Sequence, residues 1–85
     1  MEIVFTSKAN EDLLFFVKSG NKGVLKKISQ LTDDMRLNPT SGLGKPEQLK
    51  HTLRNCWSRR INKEHRIVYE IENDIIYVYS LKGHY

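Results

Sequence analysis

One cysteine, two prolines and the lack of any long hydrophobic run set the first limits on this 85-residue chain. Cys56 has no second thiol to pair with, so an intrachain disulfide is excluded. No apolar stretch approaches the roughly 18 residues of a membrane span. The N-terminal run MEIVFTSKANED carries an early acid and no basic n-region, so no signal peptide is expected. With a lone thiol and neither of those segments, the expected setting is the cytoplasm. Repeats, linkers and low-complexity segments are also missing, and residues 1–85 read as a single domain with one modest core.

Several chemistries drop out for want of partners. The three histidines, His51, His65 and His84, stand 14 and 19 residues apart, which offers no metal-ligand pair such as His at i, i+4. No serine occupies a nucleophile-elbow context. SGLGKP (41–46) resembles a phosphate-cradling Walker loop only in part. That motif needs Ser or Thr after Gly-Lys and a glycine five before the second glycine, and those places hold Pro46 and Pro39. No metal or cofactor is expected.

What is present is positive charge in one place. From Arg36 to Arg66 there are eight Lys/Arg against two acids, a segment of +6. The rest of the chain holds six bases and eight acids and sums to −2. A basic middle on a near-neutral frame is the footprint of a polyanion partner. The bases do not form one amphipathic helix, which argues against a membrane surface.

Period-two alternation in EIVFT (2–6), followed by Thr6-Ser7, predicts a strand and then a helix over 8–18, stopped at Ser19-Gly20. Asn21 can cap a second helix, in which Val24, Ile28, Leu31 and Met35 recur at helical spacing until Asn38-Pro39. Residues 40–52 read as loop. Three strands are predicted at 54–61, 65–72 and 75–81, with hairpin-length turns at 62–64 and 73–74. In the middle one His65, Ile67, Tyr69 and Ile71 share one face, and Arg66, Val68, Glu70 and Glu72 the other. The expected fold is α+β, in the order β-α-α-β-β-β: a small antiparallel sheet with two N-terminal helices packed on one face.

RNA carries its own nucleophile. Its cleavage needs a base for the 2′-OH proton, a cation for the charge developing on phosphorus and an acid for the leaving 5′-oxygen. Glu47, Arg66 and His84 are of the right types. Most small basic domains contain a Glu, an Arg and a His, so this set alone selects nothing.

The runs GKPEQLKH (44–51), WSRRI (57–61), EHRIVY (64–69) and the terminal HY (84–85) together resemble the YoeB/Txe toxins of the RelE superfamily, from bacterial type II toxin–antitoxin systems. The resemblance extends over the whole chain. It departs at Gln48, Asn55 and Cys56, and at Gly83, which precedes His84 where an aromatic is common and would loosen the tail. The resemblance implies a RelE-like microbial RNase fold and a metal-independent, ribosome-dependent endoribonuclease that cleaves mRNA in the A site and inhibits translation. It implies Glu47 as general base, Arg66 as phosphate-stabilising cation, His84 as general acid and Tyr85 as a substrate-orienting group. Lys50, His51, Arg59 and Arg60 would hold the RNA backbone and the ribosome. Implied partners are an acidic antitoxin, mRNA with the 70S ribosome, and a second copy of the chain in a homodimer.

Two other classes use the same surface: a non-catalytic module that only occupies RNA or the ribosome, and a domain whose basic face binds an acidic protein. Only the Glu47, Arg66 and His84 set separates the first of these from the RNase. The Val24–Met35 stripe and Leu13 to Val17 read as core, with one apolar edge available to an antitoxin helix. Trp57, Tyr69, Tyr77 and Tyr79 read as packing residues. Glu64 and His65 read as shaping the turn into the strand of Arg66.

Overall fold

Thr6 sets the first boundary of the chain. In the computed structural model, which describes residues 1–50 and 54–83, β1 spans Glu2–Phe5 and α1 spans Ser7–Lys18. Thr6 lies between them in extended backbone, and its Oγ1 accepts the Ala9 amide, filling one of the donors a helix start leaves open. The same hydroxyl donates to the Val78 carbonyl at 2.9 Å, which ties the helix start to the sheet. Asn21 caps α2 (Lys22–Leu37), its Oδ1 accepting from Val24 N–H at 3.2 Å. The predicted stripe of Val24, Ile28, Leu31 and Met35 is buried throughout.

The sheet contains β1, β2 (Glu47–Gln48), β3 (Cys56–Arg60), β4 (Arg66–Glu72) and β5 (Ile75–Ser80), in the spatial order β1-β5-β4-β3-β2. Strands β3 to β5 pair antiparallel, as expected, and β2 pairs antiparallel with β3. Two features depart from the sequence reading. β1 runs parallel to β5, with Ile3 opposite Ile76 and Phe5 opposite Val78, so the sheet is mixed. No hairpin joins these two strands, so nothing local imposes an antiparallel pairing. The segment expected to be all loop also supplies the two-residue edge strand β2.

Side-chain alternation divides the sheet. Ile67 and Tyr69 of β4 and Ile76 and Val78 of β5 join the helices' Phe16, Leu31 and Met35 in one core. Arg66, Val68 and Glu70 alternate with them on the opposite, outer face. Between Val68 and Tyr69 the register shifts, leaving Tyr79 of β5 without an opposite partner. This bulge lets Leu81 return to the core.

Arg59 follows the same rule, and it corrects its assignment as an RNA-binding residue. It faces the helices, is 0% exposed, and spends all five guanidinium donors inside the protein. Nε donates to Tyr69 Oη at 3.0 Å; Nη1 donates to Asp34 Oδ2 at 2.6 Å and the Leu43 carbonyl at 3.1 Å. Nη2 donates to the carbonyls of Asn38 and Ser41. Tyr69 Oη passes the chain on to the Pro39 carbonyl, and Asp34 Oδ2 also accepts the Leu43 amide. The 38–43 loop is thus folded around one buried cation.

The hydrogen bonds of Arg59, then that of the Leu43 amide, hold the Asp34 carboxyl below its ordinary pKa. With its folded-state pKa depressed, the pair contributes in full above the unfolded carboxylate value and is lost as pH falls through the folded one. Arg59→Ala would leave the Asp34 carboxylate and three loop carbonyls without their donor, so it should shift the urea midpoint strongly at neutral pH. Asp34→Asn should flatten the acid limb of stability relative to wild type. An Arg59→Ala midpoint equal to wild type would contradict this account of the loop.

Candidate functional site

The outer face of the sheet brings together residues from three strands. Glu47 of β2 stands opposite Ser58 of β3, and Ser58 opposite Val68 of β4. Arg60 stands opposite Arg66, each two residues along its own strand from that pair. By alternation Glu47, Arg60 and Arg66 share the face turned away from the helices, while Arg59 lies on the other. Two strand spacings, about 10 Å, separate the backbones of Glu47 and β4. Glu47, Lys50 and Arg60 are exposed, and Arg66 is half-buried.

The chain beyond β5 is held more firmly than a terminus usually is. Asp12 of α1 is buried, and its Oδ2 accepts the amides of Leu81 at 2.9 Å and Lys82 at 3.2 Å. Burial alone would raise the Asp12 pKa. The two amides and the Lys8 ammonium, 2.5 Å from Oδ1, outweigh it and hold the carboxyl below its ordinary value. The Lys82 ammonium lies 3.9 Å from the centroid of the Phe15 ring, a cation–π contact.

Gly83 is bonded on both sides. Its N–H donates to His65 Nδ1 at 2.9 Å, and its carbonyl accepts the Arg66 amide at 3.1 Å. The glycine expected to loosen this segment adopts φ +84°, a conformation that would strain an aromatic residue in its place. His65 is fixed in turn by its amide on Asn62 Oδ1 at 2.8 Å and by an edge-on contact with Phe16, ring centroids 4.9 Å apart. Accepting through Nδ1 puts the ring proton on Nε2. The turn-shaping role expected of His65 therefore extends to the tail.

Three predicted site residues, His51, His84 and Tyr85, lie outside the described residues. Of the others, Glu47, Arg60 and Arg66 come together on one face, Lys50 follows β2 by two residues, and Arg59 is excluded. Two tyrosines are committed to protein partners. Tyr69 serves Arg59, and Tyr79 donates to Glu70 Oε1, which with burial raises the phenol's pKa. Asp12 and His65 were missed as anchors. Their partners lie far along the chain, and only the placement of an acid within an apolar helix hinted at the first.

A family model for YoeB-like toxins of bacterial type II toxin–antitoxin systems matches residues 5–85. The chain belongs to that family. It is accordingly a toxin of a type II toxin–antitoxin system. The toxin YoeB of Escherichia coli K12 is 39% identical over 85 residues, which is 100% of both chains. Among solved structures, a YoeB dimer from Staphylococcus aureus has a TM-score of 0.88 at 41% identity, over 100% of this chain and 98% of that one. A YoeB–YefM complex from the same organism has a TM-score of 0.85 at 42% identity, with the same coverage. The described residues thus adopt the RelE-like fold expected of a YoeB-like toxin.

His65→Phe keeps a ring against Phe16 and removes only the acceptor for Gly83. Amide exchange at Gly83 should accelerate by roughly 2- to 10-fold, the factor set by a net hydrogen bond of about 0.5–1.5 kcal/mol, with global unfolding little changed. Unchanged exchange at Gly83 would show that His65 does not hold the tail.

Proposed function

We propose that this YoeB-like toxin is a ribosome-dependent endoribonuclease that cuts mRNA in the ribosomal A site and so stops translation. One observation carries the reading. Gly83 is bound to the backbone of Arg66 on the same strand whose outer face meets Glu47 across the sheet. His84 is the next residue, one peptide unit or about 3.8 Å of chain away.

In this reading Glu47 takes the 2′-OH proton of the nucleotide before the cut, and the 2′-oxygen attacks the adjacent phosphorus. Arg66, through its two-pronged guanidinium, holds the phosphate oxygens as negative charge grows on them. His84 protonates the departing 5′-oxygen, and Tyr85 orients the substrate. Each step needs only a proton carrier or a fixed cation, so the mechanism is metal-independent. Lys50, His51 and Arg60 hold the RNA backbone and the ribosome. Arg59 has no part in it. The site lies on an open, basic surface with no Gly-rich or metal-held cradle among the described residues, and the ribosome supplies the positioning of the message, an effect worth several kcal/mol.

An acidic antitoxin of the YefM kind is the proposed protein partner, matched in charge to the basic middle of the chain. Exposed Leu14, Phe15 and Val17 on α1 offer it an apolar strip. The homodimer follows the S. aureus YoeB dimer, and the place of action is the cytoplasm, with the ribosomes. No helix among the described residues is long and apolar enough to cross a membrane.

A chain ended after Gly83 tests the reading. It retains the Asp12, His65 and Arg66 anchors and should fold and bind ribosomes normally. Loss of a general acid should slow cleavage by about 10²–10⁴-fold. The measurement is the appearance of new mRNA ends in a translating system, beside circular dichroism and ribosome binding on the same preparation. Wild-type cleavage by the shortened chain would remove His84 and Tyr85 from the mechanism. Ribosome binding without cleavage by the intact protein would leave the non-catalytic module instead.

A further inference from the structure

Beyond the ends of β3 and β4 lies a cavity of about 650 Å³ that Arg60 and Arg66 share with three lysines assigned no role so far. Lys27 of α2, Lys45, Arg60, Lys63 of the β3–β4 turn and Arg66 line it, and no acid does. Four cations elsewhere in this protein are matched to carboxylates: Lys8 to Asp12, Arg36 to Asp33, Arg54 to Glu70 and Arg59 to Asp34. Among the described residues, Lys27, Lys45, Arg60 and Lys63 have no such partner. Like charges gathered around a concave wall repel one another and focus their field on whatever anion enters.

The backbone shows that this gathering is held in place. Lys45 has φ +54° directly before Pro46, a left-handed conformation that a glycine would adopt without strain and a lysine does not favour. Its neighbour Gly44, at φ +80°, is pressed between α2 and β3. A Cβ there would come within 2.7 Å of Leu31 Cδ2 and 3.0 Å of the Arg60 carbonyl, and the Gly44 carbonyl accepts the Arg60 amide at 2.7 Å. The corner thus places a long cation on the cavity rim at a conformational cost. Strain of this sort is concentrated where a side chain has a task.

We propose that this cavity binds backbone phosphates of RNA, next to the phosphate held by Arg66, through Lys27, Lys45, Arg60 and Lys63. The inference rests on the RNase reading and deepens it, extending the substrate path from the outer face of the sheet around its end to α2. A concave wall with five cations and no acid suits the repeating charge of a phosphodiester, which carries no base identity. The phosphates can belong to the message beside the cut or to ribosomal RNA. The chemistry is shared, and binding to the two separates them.

The test compares two variants of equal net charge. One carries Lys27→Gln, Lys45→Asn and Lys63→Gln, the asparagine chosen because it tolerates the left-handed backbone. The control carries Lys18→Gln, Lys22→Gln and Lys26→Gln, none of which lines the cavity. Affinity is measured against salt for a short single-stranded RNA and for programmed ribosomes. On the single strand each lost phosphate contact removes about 0.7 from the log–log slope, so the cavity variant should lose about 2 and the control much less. Loss on both ligands assigns the cavity to message, and loss on ribosomes alone to ribosomal RNA. Should the triple variant fold poorly, Lys27→Gln and Lys63→Gln singly should each lower the slope by about 0.7. Equal losses in cavity and control variants, or an unchanged slope, would overturn the proposal while wild-type binding left the RNase reading intact. A wild-type protein that bound neither ligand would overturn both.

Discussion

The guanidinium of Arg59 is the interaction on which the rest of this toxin depends. A fully buried cation is tolerated only when its charge is met and every donor is used. Here the charge is met by Asp34 of α2, and the other donors go to Tyr69 and to three carbonyls of the 38–43 loop. The consequence reaches the surface. The loop after α2 could follow many paths, but folded around Arg59 it delivers Gly44 against β3 and then Glu47 opposite Ser58. An interior charge thus sets the position of an exterior carboxylate.

The adjacent arginines show how finely strand alternation divides labour. Arg59 and Arg60 are one residue apart on β3, and one is the centre of the interior network while the other faces outward opposite Arg66. The same economy operates at the far end of the chain. Asp12 captures two amides beyond β5 and His65 captures a third, so the segment leading to His84 is fixed by contacts with α1 and with the start of β4. The outer face carries Arg60 and Arg66 beside Glu47, whereas on the inner face Arg59 spends every donor within the protein. That asymmetry lets the same small sheet close a core on one side and present cations on the other.

Legibility in the sequence followed the range of the interactions. The caps at Thr6 and Asn21, the α2 stripe and the two faces of β4 are set by residues a few positions apart, and all were readable. The parallel pairing of β1 with β5 was not, because it joins the two ends of the chain without a connecting turn. β2 is two residues long and carries no periodicity. The misassignment of Arg59 has the same origin, since two neighbouring arginines on a basic strand look equivalent until the register with Tyr69 separates them. The Glu47 and Arg66 pair was visible through its surrounding motifs, and the anchors of Gly83 were invisible because Asp12 lies 69 residues from its partner amide at Leu81.

The central claim is that RNA is cut by its own 2′-hydroxyl, with the protein supplying the base, the cation and the acid. The most direct measurement replaces that hydroxyl by hydrogen at the A-site nucleotide preceding the cut, in a message engaged by translating ribosomes. The account predicts that this message stays whole while an all-ribose message is cut in the same reaction, leaving a 2′,3′-cyclic phosphate and a 5′-hydroxyl. Cleavage of the deoxy-substituted message at the same bond and rate would mean that another nucleophile attacks, and the roles given to Glu47 and His84 would fall with it.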